Sequence, residues 1–254
     1  MSTDCRLCGG VAKKIMSGKV LDKYEVCYYD CSTCGYIQTE TPFWLEEAYT
    51  DVINNMDTGI MGRNYANSKI VLLLYILYFK KIYGEGFTVL DYAGGYGILV
   101  RLLRDLGVNA YWDDKFCTNI LAKGFVLNFG AKPSMLTAFE VLEHFADPSN
   151  DLENLFNISD NILCSTLLIS DSPPNINEWW YYGANHGQHI GFFRRATLEY
   201  IAQKNGVNLV SDGRSFHLFY KDASLKFRLF KLLSVISRIS FNGIIYKLLK
   251  FRLL

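Results

Sequence analysis

The sequence has no surplus of charge, no long apolar run and only four histidines. Each shortage narrows its function. Lys and Arg number 26 against 25 Asp and Glu, so the basic footprint of a nucleic-acid binder is absent. The longest strongly apolar run, residues 70–79, stops at Lys80-Lys81. That is well short of the roughly 20 residues a bilayer-spanning helix needs, and a buried helix is expected instead. The first ten residues, MSTDCRLCGG, are polar and lack the apolar centre of an export signal, so a cytoplasmic setting is expected. No internal repeat or low-complexity block stands out. With 50% of its residues hydrophobic, the chain is expected to bury a sizeable core.

Cysteine is present but unevenly placed. Of seven, five fall within the first 34 residues. Cys5-Arg-Leu-Cys8 and Cys31-Ser-Thr-Cys34 form two CxxC pairs, each followed by glycine (Gly9, Gly35), with room for a hairpin between them. Glycine there lets the backbone bend so that amides face the sulfurs. Without an export signal the pattern points to metal rather than disulfides. Four thiolates close a tetrahedral Zn²⁺ shell and leave no open position for chemistry. A structural zinc ribbon over residues 1–40 is therefore expected, held by Cys5, Cys8, Cys31 and Cys34, with Cys27 a bystander.

Residues 41–84 read as a helical cap: a helix, an irregular segment carrying Asp57, Arg63 and Tyr65, then a buried helix over 68–83. From residue 87 strands and helices alternate: strands 87–91, 108–113, 125–128, 134–139 and 161–168, and helices 97–106, 116–122, 149–157 and 194–205. Strands 207–211 and 215–220 end the series as a hairpin. Gly107 and Gly206 follow helices, where a left-handed residue is wanted. Alternation predicts an α/β fold with a mostly parallel sheet covered on both faces, over residues 85–222.

The glycine turn VLDYAGGYGILV, residues 89–100, sits after the first of these strands. A Gly-Lys-Ser/Thr ending is missing, so a Walker ATP loop is excluded. The dinucleotide pattern GxGxxG is half met, because Val100 stands at the third glycine. Asp91 would repel a pyrophosphate but favour an ammonium group. Asp113 and Asp114, after the second strand, suit ribose hydroxyls.

LDYAGGYG resembles the first motif of class I S-adenosylmethionine (SAM)-dependent methyltransferases, with Ala93 at the first glycine. TAFEVLEHFADP, residues 137–148, resembles the fourth-strand block of one large branch of that family. The resemblance implies a Rossmann-like sheet of seven strands with the last antiparallel. It implies that Asp91 holds the methionine end of SAM and that Gly94, Gly95 and Gly97 admit the cofactor to the backbone beside Ala93. Asp114, or Asp113, would take the ribose, and Phe139 and Glu140 would border the cofactor. The front ribbon and EWWYYGANHGQHIGFF, residues 178–193, resemble sugar methyltransferases of polysaccharide and antibiotic clusters and of bacterial surface-glycan clusters.

Methyl transfer to a hydroxyl needs a base, and histidine suits that. By resemblance to sugar enzymes with a Glu-His pair, Gln188-His189 nominates His189 as general base, with His186 second. His144 and Glu143 read as loop-orienting, and His217 as packed or facing water. The run Trp179, Trp180, Tyr181, Tyr182 reads as a wall for a sugar ring, with Asp57, Arg63 and Tyr65 closing from the other side. The expected reaction is O-methylation of a sugar, nucleotide-activated or in a surface glycan. C- or N-methylation, and a SAM-binding module without turnover, are the alternatives. Residues 224–254 contain seven Lys or Arg and no acid. Leu225, Leu229, Leu232, Leu233, Ile236 and Ile239 fall on one helical face, with a break at Asn242-Gly243. This basic amphipathic tail fits the inner face of a membrane, a partner enzyme or its own domain.

Overall fold

Two sheets organise the chain. The computed structural model describes residues 1–50, 58–127 and 132–239. At the front, β1 (Ser2–Asp4), β2 (Val11–Val20), β3 (Tyr24–Cys31) and β4 (Ile37–Thr39) form an antiparallel sheet. Next come α1 (Leu45–Ala48), α2 (Ile60–Leu74), one π-turn over Tyr75–Phe79 and α3 (Lys80–Tyr83). The main body then runs β5 (Thr88–Tyr92), α4 (Ile98–Asp105), β6 (Asn109–Asp113), β7 (Met135–Phe139), α5 (Pro148–Ile158) and β8 (Asn161–Ser165). It continues through β9 (Gly191–Phe192), α6 (Arg195–Lys204), β10 (Asn208–Ser211), β11 (Phe216–Tyr220) and α7 (Phe230–Arg238).

The main sheet has the order β10-β11-β8-β7-β5-β6. Its four central and edge strands β8, β7, β5 and β6 are parallel, and β11 runs antiparallel to both neighbours. β7 and β8 are buried along almost their whole length, as strands covered on both faces must be. One face packs against α2, α4 and α7 through Ile70, Leu74, Leu103 and Phe230. The other packs against α5 and α6, and the same cluster takes in Cys5, Leu7, Cys34 and Tyr36 of the front sheet. α5 starts on Asp147, whose carboxylate accepts from Asn150 N, with Pro148 in its first turn, a favoured opening because proline lacks the amide that a helix start leaves unpaired.

The front sheet is not a detached bead. β9 adds to the edge of β4, and Arg194 donates both terminal nitrogens to Asp30 at 2.7 and 2.8 Å and one to Gly35 O at 2.8 Å. The loop carrying the predicted base is thus stitched to the front sheet on one side and to α6 on the other.

Four sequence expectations give way. Seven strands were expected; the described residues form six, and the segment 125–128 contributes a single parallel bridge, Val126 to Trp112, at the β6 edge. No helix forms over 116–122, because Asp114 Oδ1 accepts from Phe116 N and Cys117 N and Asn119 closes a turn on Ala122. Such side-chain bonds compete with helix formation. The expected irregular cap is helical from Ile60, so the buried helix begins eight residues before residue 68; Asp57 lies outside the described residues. In the tail, the buried stripe of α7 is Phe230, Leu233, Ser234 and Ser237. Leu229, Leu232 and Ile239, expected to share one face with Leu233, are exposed, as is Val235. The predicted break at Asn242-Gly243 lies outside the described residues.

Candidate functional site

The glycine turn follows β5 directly. Asp91 is buried at the strand's end, with Thr137 Oγ1 donating to its Oδ1 at 2.7 Å. Burial, together with the nearby charge of Asp114, raises its pKa to about 7 against the single opposing hydrogen bond. Among the described residues no cation meets this carboxylate. A Cβ at Gly94 would stand 2.8 Å from Asp91 Oδ2, and one at Gly97 2.8 Å from Ala122 Cβ, so side chains are shut out at both. Trp112 Nε1 donates to Gly95 O at 2.8 Å and locks the turn onto β6.

Alanine at the motif's first glycine costs little only where φ is negative. At Ala93 φ is +54°, the left-handed region that costs a non-glycine residue about 1 kcal/mol or more. The ribose expectation also shifts. Asp114 accepts from Gly95 N through Oδ2, 2.8 Å, and from two amides through Oδ1, so it builds the loop. Asp113 ends β6, with its pKa raised by partial burial. Phe139 ends β7 and packs edge-on against Phe216.

A second group assembles after β7. Glu140 has φ +54° and is tied to β8: its N donates to Ser165 Oγ at 2.9 Å, and Ser165 Oγ–H donates to its Oε1 at 2.6 Å. Glu143 is 0% exposed. It takes a very short hydrogen bond from Tyr181 O–H on Oε1, while Oε2 has no partner. Burial, then the charge of Glu140, pushes its pKa up to about 8. His189 Nδ1 lies 2.6 Å from Tyr181 O, an acceptor only, so Nδ1 carries the proton and Nε2 keeps its lone pair. Burial holds His189 well below the ordinary histidine range, and burial also lowers His144 to about 4. His144 Nδ1 sits 3.1 Å from Gln188 O and 2.9 Å from the Tyr49 hydroxyl. His186 Nδ1 accepts from Gln188 N at 3.2 Å, which places its proton on Nε2. As it stands, then, His189 has the free lone pair and His186 does not.

The expected aromatic wall is largely core. Tyr181 and Tyr182 are buried, Tyr182 O–H donating to Pro174 O at 2.9 Å, and Trp179 packs between Tyr182 and Phe192. Trp180 alone is open, 77% exposed, edge-on to Tyr181. Arg63 and Tyr65 stand on the exposed first turns of α2. His217 is packed, its Nδ1 2.8 Å from Ser211 Oγ and its Nε2 donating to Thr166 O at 3.0 Å. Glu143 and Tyr181, read from the sequence as loop-orienting and as part of a sugar wall, are joined by a buried hydrogen bond that the sequence reading did not anticipate. Two acids three apart in the apolar stretch 138–145, with a histidine next to the second, were the available signal.

At the front, Cys5, Cys8, Cys31 and Cys34 bring their sulfurs within 4.8 Å of one another, and Cys27 lies apart. Cys5 and Cys34 are 3.6 Å apart, Cys8 and Cys31 3.5 Å. Bonds of about 2.3 Å to one tetrahedral zinc require sulfurs close to 3.8 Å apart, so the set fits. Gly9 and Gly35 have φ of +72° and +70°, and Gly10 N donates to Cys8 Sγ at 3.4 Å.

A family model described as "Methyltransferase domain" matches residues 63–212. No curated protein matches the chain significantly in sequence. Among solved structures, magnesium protoporphyrin IX methyltransferase from Synechocystis PCC 6803 with bound SAH is 18% identical, with a TM-score of 0.47 over 69% of this chain and 92% of that one. An O-methyltransferase family 2 protein from Planctomyces limnophilus in complex with apigenin is 15% identical, with a TM-score of 0.48 over 70% and 65%. An O-methyltransferase family protein from Burkholderia thailandensis is 12% identical, with a TM-score of 0.45 over 72% and 64%.

Proposed function

The chain belongs to the methyltransferase-domain family, and on that premise we propose that it takes a methyl group from SAM and places it on a hydroxyl, most concretely that of a sugar. The observation that carries the reading is Asp91, a buried carboxylate without a cation at the end of β5. It would hold the ammonium of the methionine moiety. Gly94, Gly95 and Gly97 would admit the cofactor to the backbone, Asp113 would take the ribose diol, and Phe139 would flank it. When bound, SAM supplies an electrophilic methyl on a sulfonium. The protein's part would be to aim a hydroxyl at that methyl and to take the hydroxyl proton on His189 Nε2. Burial keeps the imidazole neutral at neutral pH, so its lone pair is not lost to protonation.

O-methylation is favoured over C-methylation because the site offers an acceptor. An enolate would need donors, and His189 offers a lone pair at Nε2. Exposed Trp180 supplies one face on which a sugar ring can stack. The cysteine set would carry a structural Zn²⁺ that fixes the front sheet, and through β9 the loop bearing His189. We further propose that the tail rests on an anionic membrane surface, with Leu229, Leu232 and Val235 inward and Arg228 and Lys231 beside them. Substituting those three apolar residues by Glu is expected to abolish flotation with anionic liposomes; equal flotation would remove the idea.

Calorimetry with SAM and its demethylated product, followed by labelled-methyl transfer to a panel of nucleotide sugars and glycan precursors, tests the main reading. Absence of heat from either ligand with the zinc-loaded protein would overturn it. SAM binding without transfer to any acceptor would favour a module without turnover.

A further inference from the structure

We propose that Glu143, His144 and His189 form a binding site for one divalent transition-metal ion. Glu143 and His144 are neighbours on the single turn after β7, and His189 reaches them from the loop before β9. Their ligand atoms lie within 4.8 Å of one another, so small side-chain rotations bring all three to about 2.1 Å of a shared ion.

Three details point to a cation rather than a packed polar cluster. Glu143 Oε2 is fully buried and without a hydrogen bond, although Oε1 is satisfied by Tyr181. Buried carboxylate oxygens are seldom left so, because nothing replaces the lost water. Both imidazoles have Nδ1 beside a backbone carbonyl, Tyr181 O for His189 and Gln188 O for His144. Donation from Nδ1 to a carbonyl is how metal-binding histidines are oriented, and it leaves the Nε2 lone pair for the ion; at His144 this has the Tyr49 hydroxyl, 2.9 Å from Nδ1, accepting alongside Gln188 O. With Glu143 ionised, as a bound cation would hold it, the three groups within 4.8 Å present only acceptors to one another. One proton can satisfy one pair; a cation satisfies all three.

The loop that brings His189 is also held from the far side: Trp44 Nε1 donates to Gly187 O at 2.8 Å and Gln188 Nε2 to Ala48 O at 2.9 Å. Two imidazoles and one carboxylate suit Zn²⁺, Mn²⁺, Fe²⁺ or Co²⁺ better than the all-oxygen preference of Mg²⁺ or Ca²⁺. Three protein ligands leave positions open. The consequence for catalysis rests on the methyltransferase reading above. The ion would acidify an acceptor hydroxyl held in an open position; His189 is the proton acceptor of the metal-free form.

The test uses the full chain, loaded with Zn²⁺ and freed of excess, without SAM. Mn²⁺ titration followed by electron paramagnetic resonance is expected to show one bound Mn²⁺ per chain, with ¹⁴N modulation from imidazole in the pulsed spectrum. A cysteine site cannot give that signature. Glu143→Gln and His189→Gln, assayed separately, are expected to weaken Mn²⁺ binding at least tenfold, while cysteine-bound zinc and SAM affinity certify the fold. No Mn²⁺ or Co²⁺ binding beyond the cysteine-bound equivalent, or equal affinity in both variants, overturns the proposal. Loss of SAM binding with the metal site intact would instead strike the methyltransferase reading alone.

Discussion

The two halves of the site are built from different materials. The proposed cofactor half centres on one stretch of chain, residues 91–97, where a strand end and missing side chains shape the turn, with Asp113 and Phe139 beside it. The acceptor half draws Glu143 and His144 from one loop, Tyr181 and His189 from another and Tyr49 from α1's end, and buries them together. The first depends on local geometry. The second depends on the front sheet staying docked. If that contrast is right, damage to one half should leave the other measurable.

The largest effect belongs to the acceptor half. His189→Ala is expected to lower kcat by about 10²–10⁴, the usual contribution of a positioned proton acceptor, while SAM affinity stays within about threefold. Single-turnover transfer and calorimetry on the same preparation check both. A parallel fall in SAM affinity would mean that the halves are not separate.

Next is the stitch between sheets. Arg194 spans Asp30 and Gly35 O on the front sheet from the start of α6. Arg194→Ala is expected to cost about 2–4 kcal/mol, short of the full cost of stranding a buried charge because Asp30 still reaches water. Urea unfolding measures it. Transfer activity should fall further than SAM binding, since the stitch positions the acceptor loop.

The cofactor half follows. Asp91→Asn is expected to weaken SAM about 10–100-fold, the worth of a charge-assisted hydrogen bond at a buried site. With its pKa raised to about 7 by burial, Asp91 is neutral below that pH and charged above it. SAM affinity should therefore rise from pH 6 to pH 8 in the wild type. In the variant this component of the pH profile should vanish. A wild-type profile that falls over that range would mean the ammonium is held elsewhere.

The same contrast explains what was legible. Asp91, the glycines, the four cysteines and the alternation of strands and helices are short-range patterns, and the structure brings each together as the spacing predicts. The burial of Tyr181 and Tyr182 was not legible. A run of four aromatics looks like surface until β9 is known to pair with β4, which encloses the loop. Glu143 was read as a loop-orienting residue because its partners, Tyr181 and His189, are 38 and 46 positions away in sequence (181 − 143 and 189 − 143). Asp114 drew attention as a ribose ligand because its hydrogen bonds to Gly95, Phe116 and Cys117 cross a turn whose shape the sequence does not announce.

The smallest expected effect is the sharpest probe of the local half. Ala93 holds φ +54° at the head of the glycine turn, where the resembled motif has glycine. Ala93→Gly removes the Cβ clash, worth about 1–2 kcal/mol, but gives the unfolded chain more freedom, which costs about 0.4–1 kcal/mol. The net gain should be about 1 kcal/mol or less, a rise in Tm of about 2–4 °C for a chain of this size. SAM affinity should hold, because the turn's contacts with Trp112 and Asp114 do not involve the Ala93 methyl. A drop in Tm would place the methyl in a useful contact, and the turn would then be more than a strained strip of backbone.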